Sequence, residues 1–292
     1  MTSVTVRAVA QPARTPSALA GADAVLAKAA HENFPVALWI LPARVRRRLA
    51  AVYGFARLVD DAGDLYDGDR LALLDWLEQD LARAYEGRAE HPLMQRVGAL
   101  AAELELPREP FERLLEANRQ DQTVTRYETW DELVAYCDLS ANPVGELVLR
   151  ILGAATPERI ARSDAVCTAL QVAEHLQDVG EDLSQGRIYL PREDMARFGV
   201  MEDDLAADRP VEALGRLLAF EVDRARGLLA EGIPLVASLR GRARLAIAAY
   251  VGGGRAALDA VERSGFDVLR RSPAAGKARR LAATAGVLRE AA

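Results

Sequence analysis

The sequence predicts an all-α fold, a single helical domain around a central cavity. Three observations lead there. Apolar residues make up 50% of the 292-residue chain and recur at three- and four-residue steps. Period-two alternation of β-branched and aromatic residues is scarce. The 13 prolines and 21 glycines fall mostly between the periodic segments, where they punctuate helices rather than break them.

Taken in order, residues 1–17 hold Arg7, Arg14 and two prolines without an apolar run before a cleavage site. They read as a flexible tail ahead of a domain spanning 18–292. A first helix starts near Ser17 and runs to Ala30, and Asn33-Phe34-Pro35 interrupts the chain before another begins near Pro42. On that second helix Leu49, Val52, Tyr53, Ala56 and Val59 form an apolar stripe, and Tyr53, Arg57, Asp60, Asp61 and Asp64 follow a polar one beside it. Helices at 70–86, 92–104 and 108–120 are separated by Gly87, Pro92, Pro107 and Pro110. Thr129-Trp130-Asp131-Glu132 reads as an N-terminal capping region, and Asn142-Pro143 limits or kinks the helix it opens. A long helix from near Pro157 ends in an acidic cluster, and residues 185–191 follow as a structured loop. Helices near 210–230, 233–240 and 241–265 and a basic one at 276–290 complete a chain without repeats or composition breaks.

Composition narrows the function. A formal charge of −6, from 37 basic and 43 acidic residues, argues against nucleic acid as a partner, which needs a basic face. Two cysteines, Cys137 and Cys167, fit a reducing compartment and read as core residues. No run of about 18 apolar residues is present to span a bilayer. His31, His91 and His175 have no zinc-ligand spacing; His175 reads as facing solvent or pairing with Glu174. Arg44, Arg46, Arg47 and Arg48 form a solvated face, a diphosphate-steering patch or a contact with anionic lipid.

The chemistry concentrates in two acidic clusters about 115 residues apart, Asp60-Asp61-Ala62-Gly63-Asp64 and Asp178-Val179-Gly180-Glu181-Asp182. Helical spacing puts Asp60 with Asp64, and Asp178 with Asp182, on one face each. Like charges at i,i+4 weaken a helix, so a cation is the natural reason to keep them. Hard oxygen ligands suit Mg²⁺, which completes its shell with water and phosphate oxygens. One such cluster alone is more often a solvated face, and Arg57 can simply pair with Asp61 at i,i+4.

The context of the clusters supplies more. Val52 to Asp64 resembles the first aspartate-rich region of the squalene/phytoene synthase family. Gln171 to Pro191 is similar to that family's second region and its loop, and Tyr136-Cys137 through Pro143-Val144-Gly145 to its central segment. Glu32-Asn33-Phe34-Pro35-Val36-Ala37 and the Tyr136–Gly145 segment most resemble the hydroxysqualene synthase branch of hopanoid biosynthesis. The resemblance implies an isoprenoid synthase-type bundle that uses Mg²⁺ to take diphosphate from presqualene diphosphate, with water capturing the cation. No nicotinamide is then required. Carried over by position, Asp60, Asp61, Asp64, Glu174, Asp178 and Asp182 are metal ligands, with Glu181 as a helper. Arg57, Tyr53, Tyr136 and Tyr189 are catalytic, and His31, Phe34, Gln171 and Arg187, with Arg57 again, bind substrate. Trp39 is a further candidate for the prenyl cavity.

Two positions depart from the family pattern. Glu174 stands where members commonly have Asn, and Gln177 where several branches have Arg. The first adds a charge near the metal and the second removes a phosphate partner. The alternatives are head-to-head condensation of two prenyl diphosphates, and a non-catalytic relative that binds a partner. An apolar product and the resemblance together imply a cytoplasmic enzyme in peripheral contact with the inner face of the membrane, working beside other hopanoid-pathway enzymes.

Overall fold

A computed structural model describes residues 19, 21–27, 40–207 and 211–292. The tail, His31, Phe34 and Trp39 lie outside the described residues. Among these there are fifteen helices and no strand; an isolated parallel bridge joins Arg126 to Ile188.

Two apolar masses flank the cavity. The first is built by α1 (Ala22–Ala27), α2 (Ala43–Asp64), α3 (Arg70–Tyr85), α4 (Pro92–Leu104) and α5 (Glu109–Gln120). Phe55, Leu58, Leu74, Leu77 and Phe111 are fully buried in it, each contributing about 1.5–3 kcal/mol. Phe55 and Phe111 meet edge to face with centroids 5.0 Å apart. On α2 the core is therefore Leu49, Val52, Phe55, Leu58 and Val59, whereas Tyr53 and Ala56 of the expected stripe are half-buried. The second mass gathers α8 (Pro157–Gln177), α12 (Glu212–Glu231), α13 (Ile233–Ser238), α14 (Gly241–Arg263) and α15 (Lys277–Glu290).

Between them run α6 (Trp130–Ser140) and α7 (Asn142–Ile151), and Val148 of α7 packs against both masses. Thr129 caps α6 by accepting from the Glu132 N–H at 3.2 Å, while the Glu132 carboxylate accepts from the Glu128 N–H at 2.7 Å. Only Ala141 separates α6 from α7, as the Asn142-Pro143 pair requires. A Cβ on Gly145 would strike the Ser163 and Cys167 side chains, so α7 and α8 approach closely at a glycine.

The structure corrects the long helix from Pro157. It stops at Gln177, Asp178 takes φ −107° and ψ 18°, and α9 (Val179–Ser184) restarts the chain. The cause is tertiary. The segment after α14 lies across this junction, where Gln177 Nε2 donates to the Pro273 carbonyl and Gly180 abuts the Leu269 carbonyl. Two short helices absent from the sequence reading, α10 (Arg192–Phe198) and α11 (Glu202–Leu205), follow the loop. An Arg126–Glu202 ion pair at 3.0 Å ties α11 down.

Candidate active site

The end of α2 faces the α8–α9 turn across a cavity of about 710 Å³. Asp60, Asp61 and Asp64 border it from one side, and Glu174, Asp178, Glu181 and Asp182 from the other. Arg57, Gln171, Arg187, Tyr136 and Tyr189 border it too. Of the described residues expected at the site, Tyr53 alone does not: it borders a neighbouring apolar chamber one turn away.

Each carboxylate has a partner. Asp60 accepts from Asn118 Nδ2 at 3.1 Å, and burial pushes its carboxyl up to about 7 despite that hydrogen bond. Asp61 pairs with Arg57 Nε at 3.0 Å, and Asp64 with Arg187 at 2.7 Å. Asp178 is raised by burial against a hydrogen bond from Ser272, and it now sits in the break between α8 and α9 rather than within one helix. Asp182 stands 3.8 Å from His175 Nδ1.

The donors are all oxygens, which fits a hard divalent cation. Among the described residues no three acidic, His or Cys side chains form a ready cage. Mg²⁺ needs only one or two carboxylates when water and phosphate supply the rest, so two separate acidic walls suit an ion that arrives with a diphosphate.

Sequence reasoning missed a third wall. Asn118, at the end of α5, and Asp121, just beyond it, border the cavity. Tyr136 donates to Asp121 Oδ2 at 2.8 Å, and the Tyr189 hydroxyl lies 3.4 Å from Oδ1. Burial raises Asp121 and holds Tyr136 well above the usual tyrosine range, so this phenol is a neutral donor. His175 is buried and stacks on Tyr189 with centroids 3.7 Å apart, which corrects its expected exposure. Gly63 sits where a Cβ would hit Asn118, and Gln122 Nε2 donates to the Gly63 carbonyl at 3.1 Å. The signal was present in Asn118-x-x-Asp121-Gln122, a polar i,i+3,i+4 set beyond the buried Leu114 and Leu115.

Beside the acidic cavity lies an apolar chamber of about 290 Å³ bordered by Val52, Tyr53, Ala56, Val144, Val166 and Ile247, among others. Ser140, Gln171 and Glu174 border both spaces. Charge is therefore handled at one end and hydrocarbon at the other. The arginine run on α2 is largely spoken for: Arg44 and Arg48 both pair with Glu103.

The profile of the squalene/phytoene synthase family matches residues 27–280. The chain belongs to the squalene/phytoene synthase family. As a member it is an isoprenoid synthase of the head-to-head, prenyl diphosphate-condensing type, and the family is in general dependent on divalent metal. It is 41% identical over 213 residues to a hydroxysqualene synthase of Rhodopseudomonas palustris, covering 72% of each chain. A phytoene synthase of Mycobacterium bovis is 30% identical over 261 residues, 88% of this chain and 83% of that one. The crystal structure of squalene synthase HpnC from Alicyclobacillus acidocaldarius superposes with a TM-score of 0.77 at 45% identity, over 82% of this chain and 92% of that one. No helix among the described residues is long and apolar enough to cross a membrane.

Proposed function

We propose that this squalene/phytoene synthase family member converts presqualene diphosphate to hydroxysqualene by Mg²⁺-assisted loss of diphosphate and capture of the cation by water. The observation that carries the reading is the joint between an acidic cavity and an apolar chamber, which separates a charged leaving group from a hydrocarbon cation. The higher identity to a hydroxysqualene synthase than to a phytoene synthase favours this branch.

Asp60, Asp61 and Asp64 on one wall and Asp178 and Asp182 on the other would hold Mg²⁺, with Glu174 at their inner edge. Bound there, the metal supplies charge neutralisation for the leaving diphosphate. Arg57 and Arg187 exchange Asp61 and Asp64 for diphosphate oxygens, which their guanidinium groups can meet in pairs. Gln171 positions the substrate at the inner end of the cavity. Tyr136, Tyr189 and Tyr127, with centroids 5.5–5.7 Å apart, form an aromatic wall whose π faces favour a passing cation. Asp121 fixes the Tyr136 ring by its hydroxyl. Tyr53 acts from the chamber, against the prenyl chain.

Mass-spectrometric product identification from presqualene diphosphate and Mg²⁺ in water labelled with heavy oxygen tests this. Labelled alcohol made without NADPH supports it; hydrocarbon alone, made only with NADPH, points to squalene synthesis. Condensation of two prenyl diphosphates is the second reading, supported by the phytoene synthase relative, and farnesyl diphosphate as sole substrate tests it. The apolar product is the reason for placing the enzyme in the cytoplasm at the inner face of the membrane, beside other hopanoid-pathway enzymes. Co-sedimentation with anionic vesicles tests that placement.

A further inference from the structure

The two spaces meet at a polar collar. Ser140 is the last residue of α6, and Gln171 and Glu174 lie one turn apart on α8; these three residues border the acidic cavity and the apolar chamber alike. Gln171 is held by its amide nitrogen, 3.2 Å from the His175 ring, so its carbonyl oxygen is the group left to accept. Ser140 is the anomaly. Its Oγ is shielded from bulk solvent and has no hydrogen-bond partner. A serine at a helix end ordinarily bonds back to the carbonyl one turn earlier, and a buried hydroxyl without a partner is costly. The neighbouring chamber positions, Val144, Val148 and Val166, are the aliphatic side chains that contact with hydrocarbon calls for, and a hydroxyl among them does nothing for packing.

The geometry points to Ser140 as the residue that positions the capturing water, with Gln171 and Glu174 as its other hydrogen-bond partners. A shielded water needs two to four polar partners, and the collar offers three. The assignment rests on the proposed conversion of presqualene diphosphate and adds the place where its oxygen enters. When the carbon–oxygen bond to diphosphate breaks, the electron pair leaves with the diphosphate. A lone pair of the collar water then forms the new carbon–oxygen bond, and one oxonium proton passes to the departed diphosphate. The sum is hydrolysis, with nothing oxidised or reduced. The collar lies between leaving group and hydrocarbon, where the cationic carbon is left when diphosphate departs.

The test is the product partition of the full-length enzyme with presqualene diphosphate, Mg²⁺ and NADPH, read as the ratio of hydroxysqualene to all other thirty-carbon products. That ratio is measured per turnover and does not depend on how much enzyme is folded. Ser140→Ala lowers it by about tenfold, the effect of one hydrogen bond lost at the capture step, with more hydrocarbon or rearranged product in place of the alcohol. Ser140→Val lowers it further by lining the collar with carbon, and Ser140→Thr, which keeps a hydroxyl, restores most of it. Ratios unchanged in both the Ala and Val variants, beside a wild type that makes labelled alcohol, overturn the assignment to Ser140 and leave the proposed function intact. A wild type that makes no alcohol takes down both.

Discussion

Arg187, in the loop after α9, donates to Asp64 at the end of α2 over 2.7 Å, across 123 residues of sequence. The pair ties the two acidic walls together where the cavity opens. A carboxylate needed by a cation and a guanidinium needed by a diphosphate thus satisfy one another until both ligands arrive.

The Arg187–Asp64 pair is half open to water on the Asp64 side, where 38% of the side chain is exposed, so it adds little to stability. Arg187→Ala therefore melts within about 2 °C of wild type, since a surface change is worth only tenths of a kcal/mol. Its turnover falls by about a hundredfold, and Arg187→Lys recovers only part because an ammonium cannot bridge two oxygens. Steady-state kinetics and thermal melts of both variants check this.

Burial holds the Asp60 carboxyl at about 7, so removing its charge relieves the fold while removing a ligand. Asp60→Asn should keep the Asn118 contact and show an unfolding midpoint no lower than wild type, with turnover abolished. Asp178→Asn loses turnover likewise. Near-normal rates in both would dismantle the proposed site.

The same carboxyl sets a pH dependence for ion loading. Its proton is retained up to about pH 7, against a normal value of 3.8, and must leave before oxygen can ligate. Mn²⁺ or Mg²⁺ affinity without substrate should rise about tenfold per pH unit below 7 and level off above it. Calorimetric titration from pH 5.5 to 8.5 measures the slope, which Asp60→Asn removes.

Gly63→Ala should damage the site without touching an acid. Its methyl would displace Asn118, the hydrogen-bond partner of Asp60. Overpacking of this kind costs about 1–3 kcal/mol, and activity falls with it. A melt and an activity assay show whether the two losses appear together.

Far from the cavity, Glu221 is 2% exposed and shares Arg224 with Asp194. Burial pushes it up to about 8, with Arg224 opposing, against 4.5 for the ordinary group. The native state thus holds a proton the unfolded chain has lost, and stability falls as pH rises from about 4.5 to 8, by a few kcal/mol in all. Melting midpoints between pH 6 and 9 should decline in wild type and stay flat in Glu221→Gln.

The order of helices was legible because it depends on neighbours in sequence: apolar steps on α2, the Thr129 cap, the prolines at 42, 143 and 157. The acidic clusters were legible for the same reason, since spacing alone puts Asp60 and Asp64 on one face. What the sequence by itself determined was an all-α chain with two carboxylate-rich helix ends. Only the tertiary structure decided that the second end breaks at Asp178 under the segment after α14, that Tyr136 hangs from Asp121, that Tyr53 turns to the apolar chamber, and that Ser140, Gln171 and Glu174 form one collar. Those relationships join residues on different helices, and packing two apolar masses against each other, rather than any local preference, brings such residues within reach.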